Sequence, residues 1–219
     1  MRIIGNRGNT ARKVQAVASG TLASGGTVVV NADGTVSVVA GTAQAVSSPT
    51  VYDGSSNYHS ATFDSNSNKV VIVYSDADNS YYGTAIIGTV SGNSISFGTA
   101  VVFESASTSN ISIAFDSNSN KVVVAYCDVG NSAYGTAIVG TVSGTGISFG
   151  SPVVFESGST THISPAFDSN LNKIVIAYMD GGNSNYGTAI VGTVSGSSIS
   201  FGSAAVFNSS LSTYNKASF

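Results

Sequence analysis

The sequence predicts an all-β fold made of a tandemly repeated four-stranded unit, a β-propeller-like array behind a small N-terminal β-hairpin segment. Three observations carry that prediction. Phe63, Phe115, Phe167 and Phe219 recur at a constant 52-residue step, as do Lys69, Lys121 and Lys173, and Tyr74, Tyr126 and Tyr178. The block GTAIIGTVSGNSISFGTAVVF from Gly83 returns as GTAIVGTVSGTGISFGSPVVF from Gly135 and GTAIVGTVSGSSISFGSAAVF from Gly187, with no insertion or deletion between copies. The composition is 42% hydrophobic but only 9% charged, with 25 Gly. Disordered chains combine low hydrophobicity with high net charge, so this chain is not one of them.

Taken in order, residues 1–46 differ from the rest. Arg2, Arg7, Arg12 and Lys13 are half of the eight basic residues, and no acidic residue precedes Asp33. A basic arm ahead of an acidic body fits docking onto an acidic partner, and these four residues are the candidate docking set. Four charges are too few to predict nucleic-acid binding. TVVVNADGTVSVV from Thr27 reads as a hairpin, with Asp33-Gly34 supplying the positive φ of its turn.

From Ser48 the repeat begins. SPTVYDGSSNYHSATFD from Ser48 resembles SPVVFESGSTTHISPAFD from Ser151, so residues 48–53 are expected to be an isolated fourth strand. Units follow at about 58–109, 110–161 and 162–213, with the start of another at 214–219. In the second unit the strands are expected near 111–115, 121–127, 134–143 and 147–156, joined by short polar turns into an antiparallel meander. KVVIVY and KVVVAY are almost continuously apolar, which predicts a sheet covered on both faces. A repeat of this kind cannot bury its apolar faces alone, so copies must stack. A propeller is favoured over a β-solenoid, whose rungs are shorter and parallel. Since propellers have four to eight blades, the array is expected to be completed by further chain or by other subunits in a homo-oligomer.

Little here points to catalysis, and no cofactor is expected. His59 and His162 stand outside any triad or metal motif. Every arginine precedes the array, so a carboxylate-gripping arginine cluster is not available to it. The recurring acids look structural, which weakens a two-carboxylate glycosidase reading. Asp64, Asn66 and Asn68, with Asp116, Asn118 and Asn120, match half of a calcium loop. The required Gly is replaced by Lys, however, and Asp/Asn side chains also build hairpin turns. Cys127 shares its repeat position with Ser75 and Met179, a tolerant slot and not a nucleophile. No apolar run is long enough to span a bilayer, and membrane insertion is not expected.

The variable positions lie at one end of the units. DADNSYY, DVGNSAY and DGGNSNY connect strands 2 and 3, while ASTSNI, GSTTHI and SLSTYN connect strand 4 to the next strand 1. Tyr58, His59, Asp78, Tyr81, His162 and Asn185 are therefore the candidate ligand-binding loop residues, since loops on a rigid scaffold carry recognition.

The pattern FDSNSNKVVVAYxDxGNSxYGTAIVGTVSGTxISFGSPVVFES resembles repeats in tail-fibre-like and other structural proteins of marine bacteriophages. That resemblance implies a non-enzymatic virion protein, a tail fibre or capsid decoration, bound to other virion proteins by its N-terminal segment. The propeller would then be presented toward a host-surface glycan or receptor. The alternative is an extracellular bacterial adhesin or glycan-binding propeller at the cell surface.

Overall fold

The structure, a computed structural model, describes residues 2–4, 13–15, 17–18, 28–38 and 49–218. The chain divides into two compact units, Met1–Val46 and Ser47–Phe219. Among the described residues the regular structure is β-strand, apart from three single 3₁₀ turns.

In the first unit β1 (Arg2–Ile4) pairs antiparallel with β2 (Lys13–Gln15), placing Arg2 opposite Gln15 and Ile4 opposite Lys13. The expected hairpin is present as β4 (Val28–Val30) and β5 (Thr35–Val38). Gly34 holds the positive φ of its turn at 81°. Asp33 does not share that conformation; its carboxylate accepts from Thr35 N at 2.9 Å and Thr35 Oγ1 at 2.7 Å. These bonds hold the Asp33 carboxyl below its ordinary value, the side-chain bond most. A strand the sequence reading did not foresee, β3 (Val17–Ala18), adds parallel to β5.

The second unit is one 13-stranded hydrogen-bonded sheet. Its strands are β6 (Ser56–Asp64), β7 (Lys69–Asp76), β8 (Tyr82–Ser91), β9 (Ser94–Phe97), β10 (Val101–Asp116), β11 (Lys121–Asp128), β12 (Tyr134–Ser143), β13 (Gly146–Phe149), β14 (Val153–Asp168), β15 (Lys173–Asp180), β16 (Tyr186–Ser195), β17 (Ser198–Phe201) and β18 (Ala205–Leu211). Every pairing within it is antiparallel, and the registers repeat at the 52-residue step, as in Phe63↔Val70, Phe115↔Val122 and Phe167↔Ile174.

The sheet departs from a simple meander at the fourth strand. The stretch 147–156 is not one strand. β13 lines the distal half of β12, the chain breaks at 150–152, and β14 lines the proximal half. From there β10 and β14 run on for 16 residues each, straight into the first strand of the next unit. The expected connections ASTSNI and GSTTHI are therefore strand, bent by a bulge at Asn110 (φ 49°) and His162 (φ 52°). A bulge bends the strand and disrupts its ladder only locally, and pairing resumes at Ser112↔Ala125 and Ser164↔Ala177. Of residues 48–53, expected to be an isolated fourth strand, the described 49–53 form no strand.

Units stack face to face, and the alternation along each strand shows how. Val71, Val73, Ala85, Ile87 and Phe103 of the first unit share a core with Val122, Val124, Tyr126, Ile138 and Ile147 of the second. The intervening residues Val123, Ala125, Cys127, Ala137 and Val139 point the other way, into a core with Ile174, Ile176, Tyr178 and Ile190 of the third. Successive residues of a strand face opposite sides, so a near-continuous apolar run is what a doubly covered sheet requires.

Candidate functional site

Sequence positions 58, 110 and 162 mark the same bulge in successive units, and position 214, beyond the last strand, repeats its backbone conformation. Tyr58, Asn110, His162 and Tyr214 all have φ near 50°. Two left-handed residues in a row follow each 3₁₀ turn, a serine (Ser80, Ser132 or Ser184) and then Tyr81 (61°), Ala133 (60°) or Asn185 (62°). Asn and His tolerate this region, whereas a bulky tyrosine there is an outlier. The backbone geometry is common to every unit, so the fold does not require tyrosine at either position.

The 3₁₀ turns are built by side chains. Asp76 Oδ1 accepts from Asp78 N at 3.1 Å and Asn79 N at 3.0 Å, and Asp128 and Asp180 cap their turns through Asn131 N and Asn183 N. The chain then swings back so that the Tyr81 carbonyl accepts from Thr108 N (2.9 Å), Thr108 Oγ1 (3.2 Å) and Ser75 Oγ (3.1 Å). Ala133 and Asn185 repeat the main-chain part of this lock with Thr160 N and Ser212 N, both at 3.1 Å. The strand 2–3 turns and the bulges therefore lie at the same end of each unit.

At the first of these junctions the tyrosines meet. Asn57, Tyr58, Tyr81, Ser107, Thr108 and Ser109 line an open cavity of about 490 Å³. Tyr58 and Tyr81 are half exposed, at 51% and 49%, while Thr108 is buried beneath them. Among the described residues no charged side chain lines the cavity. At the next junction Ala133 replaces Tyr81, and Asn110 is engaged by its neighbours. Its Oδ1 accepts from His162 N at 3.2 Å, and its Nδ2 donates to Ser109 Oγ at 3.2 Å.

Of the six expected ligand-binding residues, the structure brings Tyr58 and Tyr81 into one cavity and distributes the others. His59 Nε2 sits 2.8 Å from Ser56 Oγ, and its ring meets Tyr52 edge-on at 6.3 Å. Asp78 lies against Gly54, outside the cavity. His162 stacks on Tyr214 at 5.2 Å, and Asn185 anchors Ser212. Sequence reasoning missed Tyr214, which one more 52-residue step from His162 would have found. It placed Ser107–Ser109, within ASTSNI, at the variable end of the units but took them for loop and did not single them out.

The calcium-like segments make turns here. The Asp64 carboxylate accepts from Asn66 N at 2.9 Å, Ser67 N at 3.1 Å and Ser67 Oγ at 2.7 Å. Asp116 does the same with Asn118 N, Ser119 N and Ser119 Oγ. Asn68 and Asn120 close the turns at φ 55° and 53°. The lysines that stand where a calcium loop has glycine have their own role: Lys121 and Lys173 Nζ donate to Thr141 and Thr193 Oγ1 at 2.9 and 2.7 Å. Cys127 is buried, and that burial pushes its thiol up. Among the docking candidates Arg2 and Lys13 lie on β1 and β2, while Arg7 and Arg12 fall outside the described residues. Among the described residues no helix is long and apolar enough to cross a membrane. Comparison of the chain with protein-family models, with curated proteins and with solved structures finds no match.

Proposed function

We propose that this chain is a non-enzymatic virion structural protein whose repeat array binds a neutral glycan on a host surface through the Tyr58–Tyr81 cavity. The observation that carries this reading is the pair of tyrosines held in a conformation that costs about 1–3 kcal/mol per residue, at positions where the second and third units use Asn, His and Ala. Their exposed faces supply rigid apolar contact at small entropic cost, and the Ser, Thr and Asn lining supplies adaptable hydrogen bonds. A lining without charge suits an uncharged saccharide better than a phosphate or a peptide carboxylate. The stacked units are, in this proposal, consecutive blades of a propeller-type array. The bond from His162 N to Asn110 Oδ1, which joins neighbouring first strands, supports that arrangement. The separate Met1–Val46 unit, with its basic residues, is the part that docks to other virion proteins.

The two halves of the proposal are tested separately. On an array of neutral and acidic glycans the full chain is expected to retain neutral saccharides, with Tyr58→Ala and Tyr81→Ala each weakening binding about tenfold or more. Binding unaffected by both substitutions overturns the cavity assignment. Deleting residues 1–46 is expected to abolish incorporation into particles while leaving glycan binding in place; particles that still incorporate the truncated chain overturn the docking assignment.

A further inference from the structure

The three units are equivalent in sequence but not in what covers them. Ile87 of the first unit and Val139 of the second are 0% and 1% exposed, whereas Val191, at the same position in the third, is 46% exposed. Phe103 and Phe155 are 8% exposed, and their counterpart Phe207 is 57% exposed. Val175, Met179 and Ala189, counterparts of the buried Val123, Cys127 and Ala137, are only partly buried. The outer face of the third unit is therefore the surface that, in the other two, receives the next unit.

The opposite end shows what such a surface accepts. Phe103 packs on Tyr126 and Phe149 at 5.3 and 5.5 Å, and Phe155 packs on Tyr178 and Phe201 at 5.2 and 5.7 Å. On the first unit this aromatic seat, Tyr74 with Phe97, is filled at 5.3 and 5.5 Å by Tyr52, from a segment that is not a strand. Gly98 and Gly150 show how closely units approach, because a Cβ there would collide with the carbonyl oxygen of Thr145 and of Ser197 respectively, in the next unit's turn. At Gly202 the nearest atom is Val191 O, at 3.8 Å.

We propose that a second copy of this chain docks head to tail on the outer face of the third unit, repeating the contact that joins units within the chain. Phe207 enters the Tyr74–Phe97 seat of the second copy and displaces its Tyr52, and Gly202 receives that copy's β8–β9 turn. The in-chain interface is the argument for this occupant: the exposed surface carries the apolar residues, the aromatic plug and the glycine notch that an identical unit fits. Tyr52 acts as a local competitor for the seat. Heterologous contacts of this kind build open chains or rings and not isolated pairs.

Sedimentation velocity over a concentration series tests this with the full chain. The wild type is expected to associate reversibly beyond a dimer. Gly202→Ala, which makes only an ordinary van der Waals contact within its own chain, is expected to keep the wild-type melting temperature yet remain monomeric, and Val191→Asp is expected to do the same. Tyr52→Ser is expected to tighten association about tenfold or more by vacating the seat. The proposal is overturned if Gly202→Ala and Val191→Asp associate as the wild type does. It is equally overturned if the wild type and Tyr52→Ser both stay monomeric, or if association stops at a dimer that Tyr52→Ser does not strengthen.

Discussion

At the scale of single residues, the buried tyrosine of each unit shows what the repeat demands. Tyr126 and Tyr178 donate to Glu104 Oε2 at 3.0 Å and Glu156 Oε2 at 3.1 Å. For Tyr74 the matching acid is Asp53, one methylene shorter, and its Oδ2 is buried without a hydrogen-bond partner among the described residues. An unsatisfied buried acceptor costs on the order of 1–3 kcal/mol. Asp53→Glu is therefore expected to stabilise the chain by about 1 kcal/mol, read as a raised melting temperature; an unchanged or lowered value counts against this account. All three hydroxyls are pushed up from their ordinary value of 10.0, chiefly by burial and next by Asp53, Glu104 and Glu156 respectively. Raised folded-state values mean that the stability these neutral hydroxyls contribute is complete below the unfolded value and is lost as pH rises beyond it. Alkaline unfolding above about pH 10 should then coincide with late ionisation of these three among the ten tyrosines. Absorbance at the tyrosinate band, followed with circular dichroism, checks this; a single early ionisation of all ten in folded protein would refute it.

Elements are where the sequence was most and least legible. KVVVAY is a strand at the expected place because its alternate residues feed two cores, and KVVIVY and KIVIAY keep the same register while each feeds one of those cores, a register that a one-residue slip would invert. The DSNSNK turns were equally readable, since Asp carboxylates bonding to backbone N–H groups two and three residues on are a local property. The segments around Asn110 and His162 were misread as loops. Ser, Thr and Asn clusters mark turns in most chains, but here they occupy a strand whose bulge leaves those side chains at the unit's end. Residues 49–53 were misread as a strand for the opposite reason. Their sequence matches a fourth strand, yet they form none and keep the side-chain places of Tyr52 and Asp53 beside Tyr74. Glycine at the break in the fourth strand offers an internal test of stacking. Gly98→Ala and Gly150→Ala press a methyl group on the next unit's turn and should each destabilise by about 1–3 kcal/mol. Gly202→Ala, in the same repeat position, should cost under about 0.5 kcal/mol. Chemical denaturation of the three variants decides it: equal losses at all three sites would mean the glycines serve their own unit and not the contact between units.

For the molecule as a whole, strands β10 and β14 have a further consequence. Each is the last strand of one unit and the first of the next, with no connecting loop between those roles. The repeat thus has a length but no natural starting point. A gene segment encoding any 52 consecutive residues of the array, cut at any phase, carries one full set of pairings when inserted in register. Unequal recombination between copies would lengthen or shorten such an array in whole steps without creating a faulty junction. The joints that fuse neighbouring units into one sheet are thereby also what lets their number change.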